Sequence, residues 1–238
     1  MCCLFGFVDY AGSLSAEQKN RLTRELSIAA EVRGTDATGV AYNSSRGLQI
    51  YKRPLAAHRL HLRIPAEAHV VMGHARMTTQ GSAKKNFNNH PFFGRVKGKA
   101  FALAHNGVLW NDLEQRHAKH LPRTKVQTDS FIAVQLIEQQ KSLDFSSLRY
   151  TAEAVEGSFS FTVLSERDDL YLIKGDNPLN IVHFPKVGVY AYASTAEILN
   201  KALARCGNWL GRGEKVDIAM GDIVKIDSRG HILSLIHI

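Results

Sequence analysis

Met1-Cys2-Cys3-Leu4-Phe5-Gly6 opens the chain, and the meaning of this stretch decides the fold. Removal of Met1 would leave Cys2 carrying a thiol and a free α-amine on one carbon. Such an amine titrates near pKa ~8 and a thiol near ~8.5, so around neutral pH the amine can serve as the thiol's own base. Activation of a nucleophile by an N-terminal amine is an established arrangement. The competing reading makes Cys2 and Cys3 two small buried hydrophobes at the start of a strand. On either reading Cys2 to Asp9 is a short apolar run, a buried strand.

Working outward, Ser15 is an N-cap for a helix from Ala16 to about Val32, with Leu22, Leu26 and Ala29 on one face. That helix stops at Arg33-Gly34, and Arg33 to Gly39 (RGTDATG) is a turn-rich loop that can approach the N-terminus. Val40–Asn43 and Leu48–Lys52 form a hairpin. His69–His74 is a strand running into Arg76-Met77-Thr78-Thr79-Gln80-Gly81, where Arg76 is placed to hold a carboxylate by its fork. Asn86 to Phe92 (NFNNHPF) is an irregular loop, because Pro91 bars a strand interior. Lys99–His105 is a strand followed by Asn106-Gly107. That dipeptide is either a hairpin turn or a side-chain amide and a backbone N–H aimed together at an oxyanion.

A short helix follows at Asn111–His120. Thr128-Asp129-Ser130 opens a longer one through Gln139, with Thr128 as N-cap and Asp129 suited either to the helix dipole or to a substrate ammonium. Phe145–Val155 is helical. Strands follow at Ser158–Ser165, Leu170–Lys174, Ile181–Phe184 and Val187–Ala193. Ser194 to Glu197 is a capping box for a helix to about Cys206, and Asp222–Asp227 pairs with His231–Leu235. No Pro- or Ser-rich linker divides the chain, which reads as one domain over residues 1–238. Clustered strands and helices suit an α+β layered fold with largely antiparallel sheets.

Composition bounds the function. The chain has 238 residues, 45% hydrophobic and 22% charged, ordinary values for a globular protein with a sizeable core. It contains no apolar run of about 18 residues and does not open on a secretory signal, so no membrane partner and a cytoplasmic location are expected. Three cysteines make no disulfide framework, and no zinc-ligand spacing occurs. The net charge of +8 raises a non-catalytic, nucleic-acid-associated module as an alternative. The basic residues are dispersed, however, which favours a solvated surface and argues against nucleic acid as a partner.

Taken as an ordered set, these stretches resemble the class II glutamine amidotransferases, which are N-terminal-nucleophile hydrolases. MCCLFG is similar to M-C-G-I-x-G, and RGTDATG to R-G-x-D-S-x-G. GHARMTTQG at Gly73 to Gly81 is similar to G-H-x-R-x-A-T-x-G. NNHPF at Asn88 to Phe92, HNGVLWN at His105 to Asn111 and TDSF at Thr128 to Phe131 follow in the family's order. The sequence departs from the pattern at Cys3, Ala37, Met77, Thr78 and Phe131.

The resemblance implies a four-layer αββα sandwich of two mainly antiparallel sheets. It implies Cys2 as nucleophile, Asn106 and Gly107 as oxyanion hole, and Arg76 and Asp129 for the α-carboxylate and α-ammonium of glutamine. Thr79 and His90 would line the pocket, and Arg33 and Gly34 would support the N-terminus. The implied reaction needs no cofactor and no metal. Its substrate is glutamine or another γ-glutamyl compound. No synthase domain is expected within the chain, so an acceptor of the ammonia would be a separate subunit; the alternative is a stand-alone hydrolase of a γ-glutamyl compound or another amide.

Overall fold

The computed structural model describes residues 2–235. Met1, on whose removal the N-terminal reading turns, lies outside them.

The chain runs through β1 (Cys3–Asp9), α1 (Ala16–Ala29), β2 (Ala37–Ser44), β3 (Gly47–Arg53), β4 (Val70–Arg76), β5 (Phe92–Val96) and β6 (Lys99–Leu109). It continues through α2 (Asp112–Ala118), α3 (Phe131–Gln140), α4 (Phe145–Ala154), β7 (Gly157–Ser165), β8 (Leu170–Lys174), β9 (Asn180–Phe184) and β10 (Val189–Ala193). It closes with α5 (Ala196–Cys206), β11 (Glu214–Val216), β12 (Ile223–Ile226) and β13 (Ile232–Leu235). The strands form two sheets, in the orders β11-β9-β10-β1-β4-β2-β3 and β13-β12-β8-β7-β6-β5. Every pairing is antiparallel.

Side-chain alternation along the central strands explains the layering. In β1, Cys3, Phe5 and Phe7 pack with Leu22 and Leu26 of α1 and Leu199 and Ala202 of α5. Leu4 and Val8 turn the other way, against Ala102, Ala104, Leu164 and Leu172 of the second sheet. In β6, Phe101 and Leu103 pack with Ile132 and Leu136 of α3 and Leu148 of α4. Three apolar interiors therefore separate four layers, and the fold is the expected αββα sandwich. Both faces of β1 are covered, which is why its sequence is a continuous apolar run instead of an alternating one.

The local signals hold for α1. Ser15 accepts from Gln18 N at 3.2 Å while Gln18 Oε1 accepts from Ser15 N at 2.8 Å, and a 3-10 turn carries the chain from Ala30 to Arg33. Other caps are corrected. α3 begins at Phe131, and the Thr128 hydroxyl has no partner, so it caps nothing. At α5 the cap is Thr195, which accepts from Ile198 N at 3.3 Å. Ser194 instead accepts from the backbone N of Leu4 at 2.9 Å, bracing β1. Asn106-Gly107 is not a turn: β6 continues through it to Leu109, paired with Ser160 and Phe159 of β7. The NFNNHPF stretch ends in β5, whose first residue, Phe92, follows Pro91 directly. No described helix is long and apolar enough to cross a membrane.

Candidate functional site

The seam between the two sheets changes character along its length. At one end it is filled by Val8, Val70, Leu170 and Ile226. Following the same strand parity toward the other end leads to polar groups: Cys2 beyond Leu4, His74 and Arg76 beyond Met72, Asn106 beyond Ala104, and Ser160 beyond Thr162. All of these are buried, so each must find a partner within the protein or in a ligand.

Two loops hold Cys2. Arg33 Nε donates to its carbonyl oxygen at 2.8 Å, and its thiol donates to the Met77 carbonyl at 3.4 Å. The loops also hold each other. Asp36 N donates to Arg76 O at 3.0 Å, and Thr78 N donates to Asp36 Oδ2 at 2.7 Å. Gly34 lies so close that a Cβ there would fall 2.3 Å from the Arg76 carbonyl carbon. Arg33 and Gly34 thus do local work that any side chain at position 34 would prevent. Burial pushes the Cys2 thiol up; a hydrogen bond from the Met77 backbone and the Arg76 charge pull against it, and Asp129 adds to the rise.

Arg76 is 3% exposed and already engaged. Nη1 donates to Asn89 Oδ1 at 2.6 Å, and Nη2 donates to the carbonyls of Gln80 and Gly81 at 2.6 and 2.9 Å. A guanidinium has five N–H donors, so two remain. Asp129 ties the end of β6 to the same loop. Its Oδ2 accepts from Leu109 N at 2.7 Å, its Oδ1 from Ser130 Oγ at 3.3 Å, and its own N donates to Gln80 Oε1 at 3.1 Å. A carboxylate has about four acceptor positions, which leaves two open.

Asn106 is fully buried, and neither its Nδ2 nor its Oδ1 has a partner. Its backbone oxygen accepts from Asn177 Nδ2 at 2.9 Å. Leaving a buried amide unsatisfied costs about 1–3 kcal/mol per group. Gly107 has φ +148, and a Cβ there would lie 1.8 Å from Ser158 O, so only glycine fits. Among the remaining expected residues, Thr79 is exposed in the turn after β4. His90 is buried, its ring 4.2 Å from that of His74 and 4.3 Å from that of Phe92, with both nitrogens unpartnered. The structure thus brings Cys2, Arg33, Gly34 and Arg76 into one network, reaches Asp129 through Gln80, and leaves Thr79 and His90 outside that network.

Sequence reading missed several supports. Asn89 and Gln80 orient Arg76 and Asp129, Asp36 locks the two loops, Asn177 holds the β6 backbone, and Ser194 braces β1. Asn89 and Gln80 lie inside motifs already singled out, so their position was the available signal. Ser194 was singled out as a helix cap and not as the brace of β1. A cavity of about 610 Å³ adjoins the site, lined by Gln80, Gln127, Thr128, Asp112, Arg116 and Arg123 among others. No group of three or more His, Cys, Asp or Glu among the described residues could hold a metal ion.

A sequence model described as glutamine amidotransferases class-II matches residues 27–169. Glutamine–fructose-6-phosphate aminotransferase (isomerizing) from Halalkalibacterium halodurans is 30% identical over 199 residues, covering 80% of this chain and 32% of that protein. The chain spans about a third of the length of the first curated relatives it matches. Glutamine phosphoribosylpyrophosphate amidotransferase from B. subtilis shares the fold with a TM-score of 0.74 at 16% identity, over 98% of this chain and 49% of that one. The crystal structure of a predicted glutamine amidotransferase from Pseudomonas aeruginosa PA01 gives 0.57 at 16% identity, over 98% of this chain and 94% of that one. With three-fifths of its residues inside the family match and the sandwich shared with solved amidotransferases, the chain belongs to the class-II glutamine amidotransferases.

Proposed function

We propose that the chain is a single glutaminase domain that hydrolyses the side-chain amide of glutamine at Cys2 and supplies the ammonia to an acceptor on a partner subunit. Removal of Met1 frees the Cys2 amine, which takes the thiol proton. The sulfur attacks the amide carbon, and the carbonyl electrons move onto oxygen. Asn106 Nδ2 and the Gly107 N–H stabilise that oxyanion. Collapse breaks the C–N bond, and the leaving nitrogen takes the proton held by the amine and departs as ammonia. Water then attacks the γ-glutamyl thioester, passing a proton to the amine, and glutamate leaves as the thiol is restored.

A spare N–H of Arg76 and its positive charge take the substrate α-carboxylate, and the two spare acceptor positions of Asp129 take its α-ammonium. Thr79 and His90 shape the pocket, and Arg33 and Gly34 fix the nucleophile's backbone. The acceptor is suggested by the relatives, whose names join glutamine to fructose 6-phosphate or to phosphoribosylpyrophosphate.

The observation that carries this reading is the Asn106 amide, buried, unpartnered and in the same seam as Cys2. Glutaminase assays on Asn106→Ala are expected to show kcat lowered by about 10²–10³. Cys2→Ala is expected to be inactive, with intact mass of the wild type showing Met1 removed. Full activity in Cys2→Ala would overturn the proposal. Faster turnover of another γ-glutamyl compound than of glutamine would reassign the substrate.

A further inference from the structure

Lys52 of β3 sits at the edge of the first sheet, yet its ammonium is turned inward. Nζ donates to the carbonyl oxygens of Asn89 and Pro91 and lies 5.1 Å from the centroid of the Phe92 ring. The register makes this reach possible. Lys52 is paired with Gly39 of β2, and a Cβ at Gly39 would fall 2.2 Å from His90 O and 2.9 Å from Pro91 Cδ. The segment 89–91 therefore rests directly on the β2 backbone, and Lys52 fastens it from the side. A lysine committed to two carbonyls and an aromatic face surrenders much of its rotamer freedom, which an ordinary edge-strand lysine keeps.

What Lys52 fastens is the residue that aims Arg76. Asn89 gives its side-chain oxygen to Arg76 Nη1 and its backbone oxygen to Lys52. Its Nδ2 donates to Ala83 O at 2.8 Å and to Asn86 Oδ1 at 3.2 Å. Asn89 is thus a rigid spacer between two cations.

We propose that Lys52 is a positioning residue for substrate binding: through Asn89 it sets the direction of the Arg76 guanidinium that receives the glutamine α-carboxylate. The proposal rests on the reading of Arg76 given above. The titratable groups facing Lys52 are Arg76 and His74 from β4 and His90 from the fastened segment. Burial holds both imidazoles neutral, His74 down to about 3 and His90 well below its ordinary value. Burial, and then Arg76, lowers the Lys52 ammonium to about 8. A carboxylate bound on Arg76 offsets that second cation, so substrate binding and protonation of Lys52 favour each other by linkage.

The test is glutaminase kinetics from pH 6.5 to 9.5 on wild type, Lys52→Met, Lys52→Arg and Arg76→Lys. Lys52→Met is expected to raise KM for glutamine about tenfold or more while kcat at saturation stays within about twofold. Lys52→Arg is expected to restore most of the affinity and to lack the rise in KM expected of wild type above pH 8. The substrate's own ammonium titrates in both proteins, so the difference between the two profiles isolates Lys52. Unchanged KM in Lys52→Met, or the same alkaline rise in Lys52→Arg as in wild type, overturns the role of Lys52. Unchanged KM in Arg76→Lys overturns the carboxylate reading itself, and a wild type that does not turn over glutamine overturns both.

Discussion

At the scale of single residues, the site is defined by groups the fold leaves unsatisfied and by places where a side chain cannot fit. Asn106 shows the first, and its identity as a candidate was legible from HNGVLWN. Its setting was not. Asn-Gly favours a hairpin turn locally, but nine residues of β6, Phe101 to Leu109, pair with β7, and that ladder overrides the dipeptide's preference. Gly107 shows the second. Its positive φ is unfavourable for any side chain, and a methyl group would strike the Ser158 carbonyl. Gly107→Ala is expected to lose on the order of 3 kcal/mol through backbone strain and overpacking, read as a lower urea midpoint. Glutaminase activity should fall with it. A midpoint equal to wild type would show that β7 yields and that the glycine is not sterically required. Arg76 and Asp129 were legible by residue type and motif, whereas the partners that orient them were not, because hydrogen bonds between loops far apart in sequence leave no periodic trace.

At the scale of elements, helices with an apolar face and a local cap were readable, and elements fixed by tertiary contact were not. α1 announced itself by Ser15 and the Leu22-Leu26-Ala29 stripe. β5 was hidden because Pro91 masks its start, and β11 has three residues with no alternation. The two serines predicted as caps separate the cases. Ser15→Ala removes an exposed cap and is expected to cost about 1 kcal/mol with kcat unchanged. Ser194→Ala leaves the buried Leu4 N–H without its acceptor, two residues from Cys2. It should cost about 1–3 kcal/mol and lower kcat as well, because the strand that follows Cys2 loses its brace. Denaturant titrations paired with glutaminase assays on both variants check this, and equal effects on kcat would refute the distinction.

At the scale of the molecule, the sandwich places an apolar seam and a polar one end to end. The resemblance foretold the layers, but the polar end follows only when strand parity is known across both sheets. That end buries His74, His90 and His105, whose imidazoles burial holds below their ordinary value. The consequence is global, since the unfolded chain binds protons near pH 6.5 that the folded state refuses. Stability is therefore full above pH ~6.5 and declines as pH falls toward the folded values. Each fully shifted imidazole contributes a slope of about 1.4 kcal/mol per pH unit in that window. His90, with both nitrogens unpartnered, can be replaced without orphaning another group. His90→Phe removes one titrating site while keeping an aromatic ring between His74 and Phe92. Urea unfolding at pH 7 and pH 5 should show the variant losing about 2 kcal/mol less than wild type across that interval. An identical loss in the two proteins would mean that His90 takes up its proton in the folded state, and that the polar end of the seam admits charge.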